Sequence, residues 1–226
     1  MNSAIIVAAG LGKRFGGKTP KQFLEILGKP VVIHTMLRFE ACPAVDEIIL
    51  VLPDDQKAAF IQIAGKYPLK KLTKIISGGA SRAESVLNGL KAVRAETAGI
   101  VAVHDGARPL VTSDEIAETI AKAQETGAAV LATPLTDTVK EISGERIVKT
   151  IDRKTLRRAL TPQCFRYDIL KKAYAAAEDI SDATDESFLV EKAGFPVTFV
   201  EGSAANIKIT QPEDLALAEF LINGER

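Results

Sequence analysis

Short runs dense in valine, isoleucine and alanine alternate with segments of helical spacing from one end of the chain to the other. That alternation constrains the fold more than any other feature. Residues 4–8, 47–52, 72–77, 99–103 and 128–133 read as strands covered on both faces, as in a parallel sheet. Between them, residues 30–40, 54–67, 82–94 and 114–125 carry apolar side chains at helical intervals. Thr112 with Glu115, and Thr210 with Glu213, have the spacing of capping boxes. The pattern predicts an α/β fold of three layers with a mostly parallel, Rossmann-like sheet and right-handed crossovers. Further along, 167–178, 185–193 and 213–222 read as helices, and 197–200 and 206–209 as strands.

The rhythm breaks once. Residues 136–150 alternate polar and apolar side chains around Ser143-Gly144, the signature of an exposed antiparallel hairpin. So polar a hairpin buries little by itself, and no neighbouring segment is free to cover it. It is expected to protrude as an arm, at about residues 135–153, and to reach toward a second subunit. The whole of residues 1–226 is otherwise expected to form one domain.

Charge and composition remove several classes. Twenty-nine basic residues balance 29 acidic ones, so there is no global attraction to nucleic acid or an anionic membrane. No apolar run approaches the ~18 residues that span a bilayer, and the start lacks the basic region of a signal peptide. Cys42 and Cys164 lie far apart without metal-ligand spacing, and His34 and His104 are the only histidines. A reduced, cytoplasmic protein is expected.

The first strand runs into a glycine-rich loop, Ala8-Ala9-Gly10-Leu11-Gly12-Lys13-Arg14, continuing through Gly16-Gly17-Lys18-Thr19-Pro20-Lys21-Gln22. In open α/β sheets the ligand crevice lies beyond the carboxyl ends of the strands. Glycines let backbone N–H groups approach a phosphate, and Arg14, Lys18 and Lys21 add cations. A triphosphate is the natural guest. The dinucleotide fingerprint does not fit, because the third glycine falls one residue late and no acidic residue closes the second strand. Residues 12–19 match a P-loop pattern, but Pro20 follows at once and Gly28-Lys29-Pro30 stops the next helix early. The A-A-G-x-G-x-R loop with its P-K-Q instead resembles nucleotidyltransferases that act on sugar and alditol phosphates.

Other polar clusters fall on the same rim of the sheet. Gly78-Gly79-Ala80-Ser81-Arg82-Ala83-Glu84-Ser85 follows the third strand and opens a helix, with Ser81 as its cap. His104-Asp105-Gly106-Ala107-Arg108-Pro109 follows the fourth strand, where an aspartate in a phosphate site serves a metal, a ligand hydroxyl or simply the loop. Asp152-Arg153 ends the hairpin, Leu160-Thr161-Pro162-Gln163 follows it, and Thr184-Asp185-Glu186 precedes a helix as an ordinary cap. Lys208, within Asn206-Ile207-Lys208-Ile209-Thr210, is either a rim charge or a phosphate ligand.

As an ordered set these blocks resemble the 2-C-methyl-D-erythritol 4-phosphate cytidylyltransferase family of the non-mevalonate isoprenoid pathway. The resemblance runs the whole length, through AAGLGKRFGGKTPKQF, GGASRAESV, HDGARP, DTVK, DR, ALTPQ, TDE and EGSAANIKITQPEDLALAE. It implies transfer of CMP from CTP to methylerythritol 4-phosphate with release of pyrophosphate. Arg14 and Lys21 would stabilise the transition state, while Arg153 and Lys208 position the acceptor phosphate. CTP would lie against Ala8, Ala9, Gly10, Gly12, Lys21, Gly79, Ser85 and Asp105. The acceptor would meet Asp105, Arg108, Thr138, Arg153, Thr184 and Lys208. Mg²⁺ or another divalent cation is expected on the CTP phosphates, with Asp105 as a candidate ligand. A homodimer is expected through the arm, with Thr138 and Arg153 completing the neighbour's site. Ribitol-5-phosphate cytidylyltransferases share several blocks and give an alternative acceptor; a nucleotide-binding protein without turnover is the alternative of another class.

Overall fold

The computed structural model describes residues 1–10 and 20–224. Gly12 and Arg14 lie outside them, as does the whole P-loop-like stretch 12–19, and of Lys21 only the backbone is described.

Strand β1 (Ser3–Val7) is followed, after the 3-10 turn Lys21–Phe23, by a small ribbon of β2 (Glu25–Ile26) and β3 (Lys29–Pro30). Leu27 and Gly28 turn this ribbon with φ of 51° and 73°. Then come α1 (Val31–Ala41), β4 (Glu47–Leu52), α2 (Lys57–Ala64), β5 (Leu72–Ser77), α3 (Arg82–Ala92), β6 (Ile100–Asp105), α4 (Ser113–Thr126) and β7 (Ala128–Pro134). The arm is β8 (Val139–Ser143) with β9 (Arg146–Ile151), and the chain continues through β10 (Arg157–Arg166), α5 (Tyr167–Ala176), α6 (Glu186–Lys192), β11 (Thr198–Glu201) and α7 (Pro212–Gly224).

Seven strands form one sheet in the order β11-β7-β10-β6-β1-β4-β5. All neighbours are parallel except β10, which runs antiparallel to both β6 and β7. Successive strand residues point to opposite faces, and two apolar layers result. Ala4, Ile6, Ile48 and Leu50 pack under α1, α2 and α4 through Met36, Phe39, Phe60 and Ile116. Ile5, Ile49, Val101 and Val103 pack under α3, α5 and α6 through Val86, Leu90, Leu170 and Val190. The expected three-layer α/β architecture is thus present, with β10 as a strand that the residue pattern did not reveal. Its register shifts between Ala159 and Gln163, and Pro162, which would interrupt a regular ladder, sits in that irregularity.

Residues 206–209 do not form the expected strand. Asn206 N–H bonds back to the Ser203 carbonyl and Ile209 N–H to the Ala107 carbonyl, so the segment is tied to the loop after β6 instead of to a ladder. The Thr112–Glu115 capping box is complete. At α7 the expected Thr210–Glu213 box gives way to Asp214, whose carboxylate accepts from the Thr210 and Gln211 N–H groups at 2.7 and 3.0 Å.

The arm pairs β8 with β9 over Val139–Ile151 and Ser143–Arg146. Gly144 takes φ of 58° at the first loop position, where a side chain would be disfavoured. Ile142 and Val148 are 65% and 54% exposed, so the arm buries little against the described body of the chain.

Candidate active site

The chain order determines where a crevice opens. From β1 it moves outward to β4 and β5, then returns across β1 to β6, so the strand order reverses beside β1. Loops diverge at such a point and leave a cleft beyond the strand ends. A cleft of about 540 Å³ lies there, lined by residues that include Ala8, Ala9, Gly10, Gly79, Ser85 and Asp105.

One half of the cleft is neutral and made largely of backbone. Its geometry depends on two close approaches. A Cβ on Gly78 would stand 2.4 Å from Ala9 Cβ, and one on Gly106 would stand 2.9 Å from Ala8 Cβ. Only glycine lets these loops close on the end of β1. Ser85, 2% exposed, accepts from Gly79 N–H at 3.0 Å and donates to the Ser81 carbonyl at 2.8 Å. Its hydroxyl proton is therefore engaged, and it locks the Gly78-Gly79 turn. Ser81 caps α3 by accepting from Glu84 N–H, while Glu84 accepts from Ala80 N–H at 2.6 Å.

The other half is charged. Asp105, at the end of β6, is 6% exposed and meets three cations. Arg82 Nε lies 3.1 Å from Oδ1, Lys208 Nζ 2.9 Å from Oδ2 and Arg108 Nε 3.4 Å from Oδ2. Burial disfavours the Asp105 charge, but Arg82, Lys208 and Arg108 outweigh it and hold the carboxyl far below its ordinary pKa. Arg82 also reaches both oxygens of Glu186, at 2.8 and 2.9 Å. Burial works against the Arg82 charge as well, and the two carboxylates overcome it and raise its pKa. Burial pushes the Glu186 carboxyl upward, with Arg82 opposing.

Behind Asp105 a neutral relay fixes the end of β6. Asp105 N–H donates to Thr161 Oγ1 at 3.2 Å, and Thr161 Oγ1 lies 3.0 Å from His104 Nδ1. His104 Nε2 lies 3.2 Å from the Arg108 carbonyl. One assignment satisfies all three contacts: Thr161 donates to Nδ1 and Nε2–H donates to the carbonyl. Burial pushes the His104 pKa down to about 3, which keeps the ring neutral. Asn206 supports the same corner, its side chain donating to the Thr161 carbonyl at 3.0 Å while its own carbonyl accepts from Arg108 at 2.9 Å.

The structure therefore brings together Ala8, Ala9, Gly10, Gly79, Ser85, Asp105 and Lys208 along one cleft, with Arg108 behind it. It does not bring Thr138, Arg153 or Thr184 to that lining: all three are exposed. Arg153 instead donates to the Thr136 carbonyl at the base of the arm. Arg82 and Glu186 lay inside quoted sequence blocks without a role. A signal existed for Arg82: it opens α3, where the helix dipole disfavours a cation unless carboxylates face it. Glu186 opens α6, where a carboxylate suits the dipole, so nothing distinguished it.

Asp105 does not fit the expectation of a metal ligand, because both its oxygens are engaged by cations. Among the described residues no group of three His, Cys, Asp or Glu could hold a metal ion.

The family model of 2-C-methyl-D-erythritol 4-phosphate cytidylyltransferase matches residues 2–224. The chain belongs to that family. The cytidylyltransferase of Bacillus velezensis is 42% identical over 223 residues, covering 98% of this chain and 95% of that protein. That of Syntrophus aciditrophicus is 44% identical over 225 residues, with 98% and 96% covered. Among solved structures, the 4-diphosphocytidyl-2C-methyl-D-erythritol synthase of Anaerococcus prevotii superposes with a TM-score of 0.85 at 30% identity, covering 98% and 96% of the two chains. The Thermus thermophilus cytidylyltransferase gives 0.77 at 34% identity, covering 99% and 100%. Membership in the cytidylyltransferase family carries CTP-dependent cytidylyl transfer in the methylerythritol phosphate pathway. No helix among the described residues is long and apolar enough to cross a membrane.

Proposed function

We propose that the two halves of this cleft divide the two substrates of cytidylyl transfer between them. The observation that carries the proposal is the meeting of a backbone-lined neutral half with a cation-rich half in one cavity. CTP lies with its nucleoside against Ala8, Ala9, Gly10 and Gly79, where fixed backbone donors and acceptors tell cytosine from uracil. Ser85 holds the Gly79 turn and keeps one acceptor position toward the base. The 4-phosphate of methylerythritol phosphate lies toward Lys208 and Arg108, and Asp105 orients both cations.

The reaction needs no general base. An oxygen of the acceptor phosphate, already an anion, forms the new bond to the α-phosphorus of CTP. The bond to the bridging oxygen breaks, and pyrophosphate leaves with that electron pair. What the protein must supply is orientation and positive charge on the crowded phosphorus. Arg14 and Lys21, from the glycine-rich loop, take the transition-state charge. Lys208 holds the acceptor in line. The described residues form no cage for a divalent ion, so Mg²⁺ would arrive on the triphosphate of CTP.

Residues 1–226 work as one domain, and the arm works between subunits. Its exposed Ile142, Ile147 and Val148 support a homodimer in which Thr138 and Arg153 of one protomer, with Thr184 at the rim, complete the acceptor end of the neighbour's site. Mixing Arg14→Ala protomers with Arg153→Ala protomers should restore part of the activity through one intact hybrid site; verified heterodimers without recovery would refute the composite site.

The substrate assignment is tested by pyrophosphate release with CTP and Mg²⁺, comparing methylerythritol 4-phosphate with ribitol 5-phosphate. Release with the former alone is expected. Preference for ribitol phosphate would move the assignment to the sister activity, and silence with both despite CTP binding would leave a nucleotide-binding protein.

A further inference from the structure

Glu186 is 1% exposed at the start of α6 and stands outside the cleft lining. It is nevertheless built into place. Its backbone N–H and that of Ser187 both donate to Gln163 Oε1 at 3.1 Å, and the Tyr174 hydroxyl divides its one proton between the Ala83 carbonyl at 3.2 Å and Glu186 Oε1 at 3.3 Å. Its two oxygens grip one guanidinium nitrogen of Arg82 at 2.8 and 2.9 Å.

A guanidinium is a fork that can engage both oxygens of a carboxylate at once. Arg82 has two carboxylates within reach, and Glu186 takes one arm of the fork. Glu186 holds Nη1 and so fixes the plane of the guanidinium, in which Nε meets Asp105 at Oδ1, 3.1 Å away. Asp105 Oδ2 therefore stays with Lys208 at 2.9 Å and Arg108 at 3.4 Å. The charge count agrees. Three cations face two carboxylates, so a single surplus positive charge is left in the cluster, of which Arg82 and Lys208 both line the cleft.

We infer that Glu186 is a positioning residue for the acceptor: it restrains Arg82 to one oxygen of Asp105, so that the other oxygen aligns Lys208 and Arg108 for the incoming phosphate. The inference rests on the assignment of Lys208 and Arg108 to the acceptor. Without the Glu186 charge, Arg82 turns its fork onto Asp105 and competes with both cations for Oδ2. A buried ion pair is by itself weak evidence for a stabilising role, which leaves alignment as the function that the geometry describes.

The test is steady-state pyrophosphate release with both substrates varied, for Glu186→Gln, Arg82→Gln, the double variant and Lys208→Ala. Glu186→Gln should raise the KM for methylerythritol 4-phosphate about tenfold, the size of a weakened charge-assisted hydrogen bond, with the KM for CTP held within about twofold. In the Arg82→Gln background the same change should add nothing, because Glu186 acts through Arg82. Equal rises in both KM values, an unchanged acceptor KM, or additive effects in the double variant would overturn the inference. Should Glu186→Gln fail to fold, Arg82→Lys serves instead. It keeps the charge but offers one nitrogen in place of the separate Nε and Nη1, so it cannot reproduce the fixed fork and should raise the acceptor KM selectively; an unchanged value overturns the inference. Lys208→Ala separates the two levels. If it leaves the acceptor KM unmoved, the acceptor assignment itself fails; if it raises that KM and Glu186→Gln does not, only the role of Glu186 fails.

Discussion

The two halves of the cleft are built by opposite means. The backbone-lined half has almost no charge and depends on absent side chains: Gly78 and Gly106 let two loops touch the end of β1. The charged half depends on side chains taken out of water, with Asp105 among Arg82, Arg108 and Lys208 and Glu186 paired to Arg82. Under the proposed division, the first would select by shape and by backbone groups, and the second would hold a surplus positive charge for a phosphate to balance. Damage to the first should therefore appear in CTP binding, and damage to the second in stability and acceptor binding together.

The largest expected effect comes from Asp105→Asn. It leaves Arg82, Arg108 and Lys208 facing one another without their shared counter-charge, and loss of one partner from a buried ionic cluster costs about 3–5 kcal/mol. Urea unfolding at neutral pH measures it. The native Asp105 carboxyl is held below its ordinary pKa, so this contribution is full above about pH 4 and fades as pH falls further. The gap between wild type and variant should close in acid.

Next in size is the titration of His104. Burial keeps it neutral, with its pKa pushed down to about 3 from the ordinary 6.5. Between those values the unfolded chain binds a proton that the native state refuses. Stability is therefore full above about pH 6.5 and falls on acidification, by on the order of 1 kcal/mol per pH unit inside the window. Unfolding free energies measured from pH 7 to 4 should show that slope, and His104→Gln should flatten it whatever it does to absolute stability.

Gly78→Ala sharpens the contrast from the other side. Its new Cβ would meet Ala9 Cβ at 2.4 Å, so one of the loops must move. Overpacking of this kind costs about 1–3 kcal/mol. We expect CTP affinity to fall about tenfold in calorimetry, with acceptor affinity changing less than about threefold. Equal losses for both ligands would mean that the halves are not independent.

The smallest effect on the fold is expected in the arm. Val148→Asp changes a side chain that is 54% exposed, and such surface changes stay within about 0.5 kcal/mol. Sedimentation should nevertheless show weakened self-association. A variant that remains fully dimeric would remove the arm from the interface.

Most of the sheet was legible because buried parallel strands are continuous apolar runs, as in β4 with all six residues buried. β10 was not, since Pro162 sits inside it and its arginine-rich start looks like a loop. Residues 206–209 misled in the other direction: Ile207 and Ile209 have strand-like spacing, but their burial serves the cluster beneath α7. Among site residues, the glycine turns were readable, because close approach of backbone demands glycine at Gly78, Gly79 and Gly106. The pairing of Arg82 with Glu186 was not, because it joins positions 104 residues apart through a contact that no local spacing encodes.

The division of the cleft is tested most directly by calorimetric titration of wild type and Lys208→Ala with each substrate separately. The variant should bind CTP within about twofold of wild type and methylerythritol 4-phosphate at least about tenfold more weakly, as loss of a charged hydrogen bond implies. If CTP affinity falls as far as acceptor affinity, the charged half serves the nucleotide and the proposed division is wrong.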